Sequence, residues 1–366
     1  MPRWVWWGLK ALYVALILVP IVGLGGEVIL RGERQRAERD AAGYLSRSLY
    51  SHSWEQQAAA RPLWRHGRVW EEYKPNARLD LTVGGESYSV QINSLGFRTH
   101  EFTPKKPPGT LRVICLGGST TVGGRTNDDT YPALLERGLR KHYPRLSLEV
   151  LNLGISGTTS DYWLERREKL FGFEPDLIVD YGAINDLAWR HLPRYAASRP
   201  WRRMLQRSLL LERLLPLPPH DFDPFFRETL ENFRAMGEIC RERGVRYLVG
   251  SFAAPDYPSA PPSFRRYLDV NLDFWTTHLP LHDYREYAAL IARYNELFEL
   301  FVYEHHVAHV LVHRVLREPL LFTDICHPTP EGIAVLAEAF LPAVGRILEE
   351  KAPGTAPPGP SAFPPG

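Results

Sequence analysis

Three regularities along the chain predict an α/β protein, a three-layer α/β/α sandwich around a mainly five-stranded parallel sheet, preceded by an N-terminal transmembrane helix and a small β-hairpin element. From Leu111 onward, short apolar or β-branched runs alternate with stretches of helical period. The chain just after several of those runs carries Gly, Ser, Asn or Asp, the residues of strand-end loops. Before residue 31 it is almost free of charge.

The elements follow in order. Ala11 to Gly26 reads ALYVALILVPIVGLGG, 16 residues without a charge. As helix that run spans about 24 Å, and the hydrocarbon core of a bilayer is about 30 Å thick, so the preceding WVWWGL is needed to complete a crossing. Trp4 to Leu30 therefore reads as one membrane-spanning helix, residues 1–30 as an anchor, with Trp4, Trp6 and Trp7 at the headgroup level and Lys10 snorkelling to it. A cleaved signal peptide is the rival reading, but the apolar run is long for one and no A-x-A site follows. Residues 31–62 are polar and rich in Arg, Ala, Gln and Glu, which suits a helical stalk. Residues 63–110 form a small sub-element: LDLTVGGESYSVQI, Leu79 to Ile92, alternates like a hairpin turning at Gly84-Gly85. The following NSLGFR, Asn93 to Arg98, reads as a structural lead-in, with a substrate-facing lip as the alternative; Arg98 has no obvious partner.

Residues 111–350 form the main domain. LRVICL, LEVLNL, DLIVDY, VRYLVGSF and HVLVHRV are its strands, with helices over Tyr131 to His142, Asp161 to Phe171, Pro224 to Arg243, Tyr284 to Tyr303 and Pro330 to Leu348. Strands that alternate with helices pair in parallel and are covered on both faces. Leu187 to Phe222 and Ala253 to Asp283 break the rhythm and read as loops or short helices over the strand ends. The tail, residues 351–366, is Pro/Gly-rich and expected to be disordered.

Composition narrows the function classes. A formal charge of +2 gives no reason to expect a nucleic acid partner. Cys115, Cys240 and Cys326 are odd in number and lack metal-ligand spacing, so neither a disulfide framework nor a zinc site is indicated.

The chemistry lies in the strand-end loops. After the first main strand stands Gly117-Gly118-Ser119-Thr120; after the second, Gly154 in LNLGISG; after the third, Asn185-Asp186 in YGAIND; before the last helix, the Asp-x-x-His pair Asp324 and His327 in TDICHPTPEG. A phosphate loop would need G-x-x-x-x-G-K-[ST], and in neither frame does VICLGGSTTVGG supply the lysine with both glycines in place. A nucleophile reading uses all four loops. Ser119 needs a base, His327 can be that base, Asp324 can fix its tautomer, and acyl transfer needs donors for the developing oxyanion. The backbone N–H groups of Ser119 and Gly154 and the Asn185 amide are the candidates. Taken singly, each residue has a plainer use: a turn serine, a helix-capping Asn-Asp, a tight-turn glycine, a capping histidine. Together they resemble the SGNH hydrolases, also called GDSL-type esterases and lipases, over Leu111 to Leu348.

That resemblance makes Ser119 the nucleophile and Asp324 and His327 its partners, with Ser119, Gly154 and Asn185 as oxyanion donors, and it implies an SGNH or flavodoxin-like fold. Gly118 stands where the family's G-D-S form has aspartate, a G-G-S-T variant that weakens any substrate assignment. The NSLGFR segment and anchor look like those of bacterial membrane-anchored members. The expectation is a serine esterase that acts on an acetyl or acyl group of a carbohydrate or lipid and needs no metal or organic cofactor. O-acyl transfer to envelope polysaccharide, with a separate multi-span partner supplying the acyl group, is the nearest alternative; a non-catalytic glycan or lipid binding module is a third. Arg31, Arg34, Arg36 and Arg39 follow the span, and a Lys/Arg count alone would keep the body inside the cell. The usual signal-anchor topology instead places it in the periplasm or outside. His305, His306, His309 and His313 have helical metal-ligand spacing in part but no accompanying carboxylate and read as structural or surface residues. Trp163, Trp189, Trp201 and Trp275 could line a subsite or simply pack.

Overall fold

The hairpin ahead of the main domain forms as the alternation predicts. In the computed structural model, which describes residues 2–14, 16, 20–33, 35, 36, 72–83, 86–194, 210, 221–275, 281 and 283–351, β1 (Arg78–Val83) pairs antiparallel with β2 (Glu86–Gln91). Val83 faces Glu86, and the turn at Gly84-Gly85 lies outside the described residues.

Five parallel strands make the main sheet: β3 (Leu111–Gly117), β4 (Leu148–Asn152), β5 (Leu177–Tyr181), β6 (Arg246–Gly250) and β7 (Ala308–Val310), in the order β4-β3-β5-β6-β7. The chain thus starts in the interior at β3, steps to β4, then crosses back to β5 and continues outward. Right-handed crossovers in opposite directions put helices on opposite faces. Tyr131–His142 and the closing helix Pro330–Lys351 pack together on one face, and Asp223–Glu242 and Tyr284–Glu304 on the other. Every residue of β3 and β5 is buried, as sheets covered on both faces require. Aromatic rings fill the helix–sheet layer: Tyr131 stacks on Phe340 with centroids 5.7 Å apart, and Tyr181 on Phe252 at 5.8 Å. A Cβ at Gly250 would stand 2.7 Å from Phe340 and 2.9 Å from Tyr181, so the glycine makes room for those rings.

Two fully buried arginines brace opposite ends of β3. Arg112, at its start, donates to the carbonyls of Thr103, Pro104 and Phe173 and pairs with Glu149 at 2.8 Å. Arg98, beyond the hairpin, reaches the chain that follows β3.

Several elements depart from the sequence reading. HVLVHRV is a strand only at Ala308–Val310; Val312–Val315 is a helical turn. At the sheet edge β7 has one neighbour, so the ladder cannot hold a longer strand against the burial of Val312 and the 2.7 Å bond from His313 Nδ1 to Ser251 Oγ. Asp161 to Phe171 divides into Tyr162–Glu165 and Arg167–Phe171. The stretch from Ala253 to Asp283 contains a 14-residue helix, Pro262–Trp275, which opens on a proline as helix starts often do. From Leu187 to Phe222 the described part begins as a π-helical turn, Asp186–His191; residues 195–220, Leu210 apart, lie outside the described residues. So do the stalk from residue 37 and the tail from residue 352. At the N-terminus, Arg3–Tyr13 and residues 20–33 are helical, and among the described residues no helix is long and apolar enough to cross a membrane.

Candidate active site

The strand order reverses between β3 and β5, and ligands of open α/β sheets bind in the crevice outside the carboxyl ends of such a pair. Ser119 follows β3 and Asn185 follows β5. At the end of β3 the backbone turns at Gly117, whose φ of +147° and closeness to the Tyr181 carbonyl leave no room for a side chain. Ser119 then opens the helical turn Ser119–Val122, so its own N–H has no intrahelical acceptor.

His327 and Asp324 come from a short loop pinned at its ends, where Phe322 bridges Pro328 and Thr323 N–H donates to the His327 carbonyl at 2.8 Å. Asp324 is fully buried and its Oδ1 accepts the backbone N–H groups of Cys326 at 2.9 Å and His327 at 2.7 Å. Both carboxylate oxygens lie against His327 Nδ1, at 2.9 and 2.8 Å. A carboxylate only accepts, so Nδ1 carries the proton and Nε2 keeps its lone pair. Nε2 stands 2.7 Å from Ser119 Oγ across 208 residues of chain. Serine, histidine and aspartate are thus one continuous hydrogen-bonded line.

Beside Ser119 stands the Asn185 amide. Its Nδ2 donates to the Thr158 carbonyl at 2.9 Å, which uses one of two N–H bonds and leaves the other. A Cβ at Gly118 would overlap that nitrogen, so the glycine lets the amide close on the turn that carries Ser119. Gly154 is placed differently from the sequence expectation. Its N–H donates to Asn152 Oδ1 at 3.0 Å, and its Cα packs so tightly that a Cβ would sit 2.8 Å from Thr121. Asn152 Nδ2 in turn holds the Thr121 carbonyl at 3.0 Å, so Gly154 and Asn152 brace the turn that carries Ser119. The same run holds a second glycine, Gly157, with φ +77° and an N–H that has no partner among the described residues. It directly precedes Thr158, the residue that holds Asn185. Sequence reasoning passed over Gly157, and the signal that could have found it is the repeated glycine in LNLGISGTT.

Asp186 ties two of these loops together, accepting from Ser160 N at 2.9 Å and Ser160 Oγ at 2.7 Å. Burial pushes its carboxyl up to about 6. Asp180, inside β5, is pushed up to about 7, again by burial, with Tyr247 Oη donating to it at 3.0 Å. Cys326 lies between Asp324 and His327 in sequence, with Sγ 3.2 Å from His327 Nδ1. Among the described residues Asp324, Cys326 and His327 are the one cluster whose ligand atoms fall within 4.8 Å of one another. Yet Nδ1 and the carboxylate are committed to each other, and burial holds the thiol protonated, well above its ordinary value. The four other histidines do not converge: His309 Nδ1 meets the Val307 carbonyl at 2.9 Å, and His313 meets Ser251 and, at 3.2 Å, Glu299. Trp163 packs on Phe97, centroids 6.1 Å apart, as a core residue. Trp201 and the side chains of Trp189 and Trp275 lie outside the described residues.

A sequence model of the GDSL-like lipase/acylhydrolase family matches residues 115–335, well over half the chain, from the strand before Ser119 to beyond His327. The chain belongs to this family. As a GDSL-like acylhydrolase it is an ester-hydrolysing serine hydrolase. Solved structures similar to it include an α/β hydrolase from the metagenome of Lake Arreo, Spain, with 21% identity, 65% of this chain and 96% of that one covered, and a TM-score of 0.42. A putative acylhydrolase from Bacteroides fragilis follows at 17% identity, 65% and 88% coverage and a TM-score of 0.40. An acetylxylan esterase from Geobacillus stearothermophilus has 18% identity, 64% and 94% coverage and a TM-score of 0.41. The search of curated proteins returned no match.

Proposed function

We propose that this GDSL-like acylhydrolase cleaves a carboxylic ester, an acetyl or other acyl group carried by a carbohydrate or lipid, through an acyl-serine intermediate. The observation that carries the reading is the unbroken line from Ser119 Oγ through His327 to Asp324. His327 Nε2 takes the Oγ proton as Oγ attacks the carbonyl carbon, then gives it to the departing alcohol oxygen. Water, deprotonated by the same nitrogen, attacks the acyl carbon; the C–Oγ bond breaks, the acid leaves and Nε2 returns the proton to Oγ. Negative charge on the carbonyl oxygen is met by the Ser119 N–H, the second Asn185 Nδ2–H and the Gly157 N–H, which takes the place first given to Gly154. Loss of one such donor typically costs about 3 kcal/mol of transition-state stabilisation. Ser119 and His327 are only 6% and 7% exposed, which supports a short acyl group.

The N-terminal segment serves as a membrane anchor in this reading, with the acylhydrolase domain in the periplasm or outside the cell. Trp4, Trp6, Trp7, Leu16, Ile21, Val22, Leu24, Val28 and Ile29 are each more than half exposed, apolar surface that lipid would cover. Membrane fractionation of the full chain against a form lacking residues 1–30 tests the anchor, and protease accessibility in intact cells tests the side; a soluble full chain would overturn it.

The catalytic assignment is tested by Ser119→Ala. Hydrolysis of a panel of chromogenic esters of increasing chain length should fall at least about a thousandfold with an unchanged circular dichroism spectrum, and the wild-type profile should favour short chains. Retained turnover would sink the assignment. Transfer of the acyl group to an added glycan hydroxyl, in excess over free acid, would instead identify an acyltransferase.

A further inference from the structure

The NSLGFR segment takes no part in the proposed chemistry, yet each of its distinctive residues is committed. Asn93 Oδ1 accepts the N–H groups of Leu95 at 3.1 Å and Phe97 at 2.9 Å, which closes a turn. Gly96 takes a φ of +88° in that turn. Phe97 packs edge-on against Phe173, centroids 5.8 Å apart, and fixes where the turn points. The residue it aims is Arg98, with no exposed surface at all.

A buried guanidinium costs several kcal/mol unless its donors are satisfied. Three of the Arg98 donors go to the chain just beyond Ser119: Nη1 to the Val122 carbonyl, Nη2 to the Gly124 carbonyl at 3.0 Å and Nε to Asn127 Oδ1 at 3.3 Å. Val122 is the last residue of the turn that Ser119 opens. A four-residue turn leaves its closing carbonyls without helical partners, and a cation at that end complements their dipole. The hairpin backs this contact from the side. Ser89 N–H donates to the Arg125 carbonyl at 2.9 Å, Gln91 N–H to Asn127 Oδ1 at 3.2 Å, and Asn127 Nδ2 to the Gln91 carbonyl at 2.7 Å.

We propose that Arg98 is a positioning residue: its forked guanidinium clamps the carbonyl end of the Ser119–Val122 turn, so the segment ahead of the main domain sets where Ser119 Oγ meets His327. This rests on Ser119 being the nucleophile. A turn of four residues has too few bonds of its own to resist rotation, and a shift of about 1 Å between reacting groups costs on the order of a hundredfold in rate.

Arg112 supplies the control, because it is equally buried and holds three carbonyls against two for Arg98 but lies at the far end of β3. Arg98→Lys keeps the charge and loses the fork. Its kcat should fall at least about tenfold with KM within about twofold, and the rate of Ser119 labelling by a fluorophosphonate should fall in parallel. Arg112→Lys should lower the thermal midpoint by a similar amount yet leave kcat and labelling per folded molecule within about twofold. Asn127→Ala, which removes the Nε acceptor and the two bonds that tie the hairpin to it but leaves the two carbonyls in place, should lower kcat about threefold and covers the case in which Arg98→Lys does not fold. Arg98→Lys matching Arg112→Lys, or Asn127→Ala with unchanged kcat if the lysine variant does not fold, would overturn the clamp. Wild-type turnover by Ser119→Ala would overturn the nucleophile reading itself, a result separable from either.

Discussion

Asp324→Asn tests the electrostatic design of the site more sharply than removal of the Ser119 hydroxyl. Three donors converge on the buried carboxylate, the N–H groups of Cys326 and His327 on Oδ1 and the imidazole Nδ1–H across both oxygens. An amide of the same shape has one acceptor oxygen. That oxygen must stay with the two backbone N–H groups, because turning it away would leave both buried and unpaired, at about 1–3 kcal/mol each. The NH2 group then faces Nδ1, and two donors cannot share one bond. The imidazole responds by moving its proton to Nε2, where it points at Ser119 Oγ and can no longer receive the serine proton. The expected result is a fall in kcat of about 10⁴, equivalent to about 5.5 kcal/mol, with KM nearly unchanged and a thermal midpoint close to that of the parent. Steady-state kinetics on a chromogenic ester and a melting curve read both. A kcat within tenfold of the parent would refute the tautomer argument.

Three further outcomes follow from the same geometry. Asn185→Ala removes the amide beside Ser119 and should lower kcat about 10²–10³-fold with little change in KM, read from initial rates. Asp180→Asn keeps the acceptor for Tyr247 Oη but removes a carboxyl whose value rises from 3.8 to about 7 on folding, a shift worth at most about 4 kcal/mol. A raised value means that the folded form holds the proton more tightly, so this contribution is complete below about pH 3.8 and lost as pH rises through 7. The variant should therefore melt higher than the parent at pH 8 and no higher at pH 4; equal midpoints at both would count against a buried, proton-holding Asp180. Gly117→Ala forces a side chain into the Tyr181 carbonyl at a φ of +147° and should abolish both soluble expression and activity, whereas a folded, active variant would show that the turn can relax.

What was legible in the sequence was whatever rests on local pattern. The five apolar runs, the long helices and the hairpin follow from periodicity, and Asp324 and His327 were recognisable because their spacing alone brings them together. Strand length at the β7 edge was not legible, because it depends on how a single neighbour and the burial of Val312 compete. Nor was the length of the 14-residue helix at Pro262, in a proline-rich stretch that reads as loops or short helices. The proposed shift of an oxyanion donor from Gly154 to Gly157 has a different origin. Both are glycines in one loop, and only the side chain of Asn152, folded back on Gly154 N–H, tells which amide is already occupied. Arg98 shows the same limit: its partners are backbone carbonyls 24 and 26 residues away, and carbonyls leave no trace in residue identity.

The two bonds that join serine, histidine and aspartate differ in kind. One closes a loop of three residues and is held by a pinned hairpin-like segment; the other spans 208 residues and joins the turn after β3 to the loop before the closing helix. In mild denaturant the short-range pair can outlive the long-range one. Inactivation should then precede loss of the imidazole Nδ1–H resonance, which makes hydrolytic activity a gauge of whether the two ends of the domain have met.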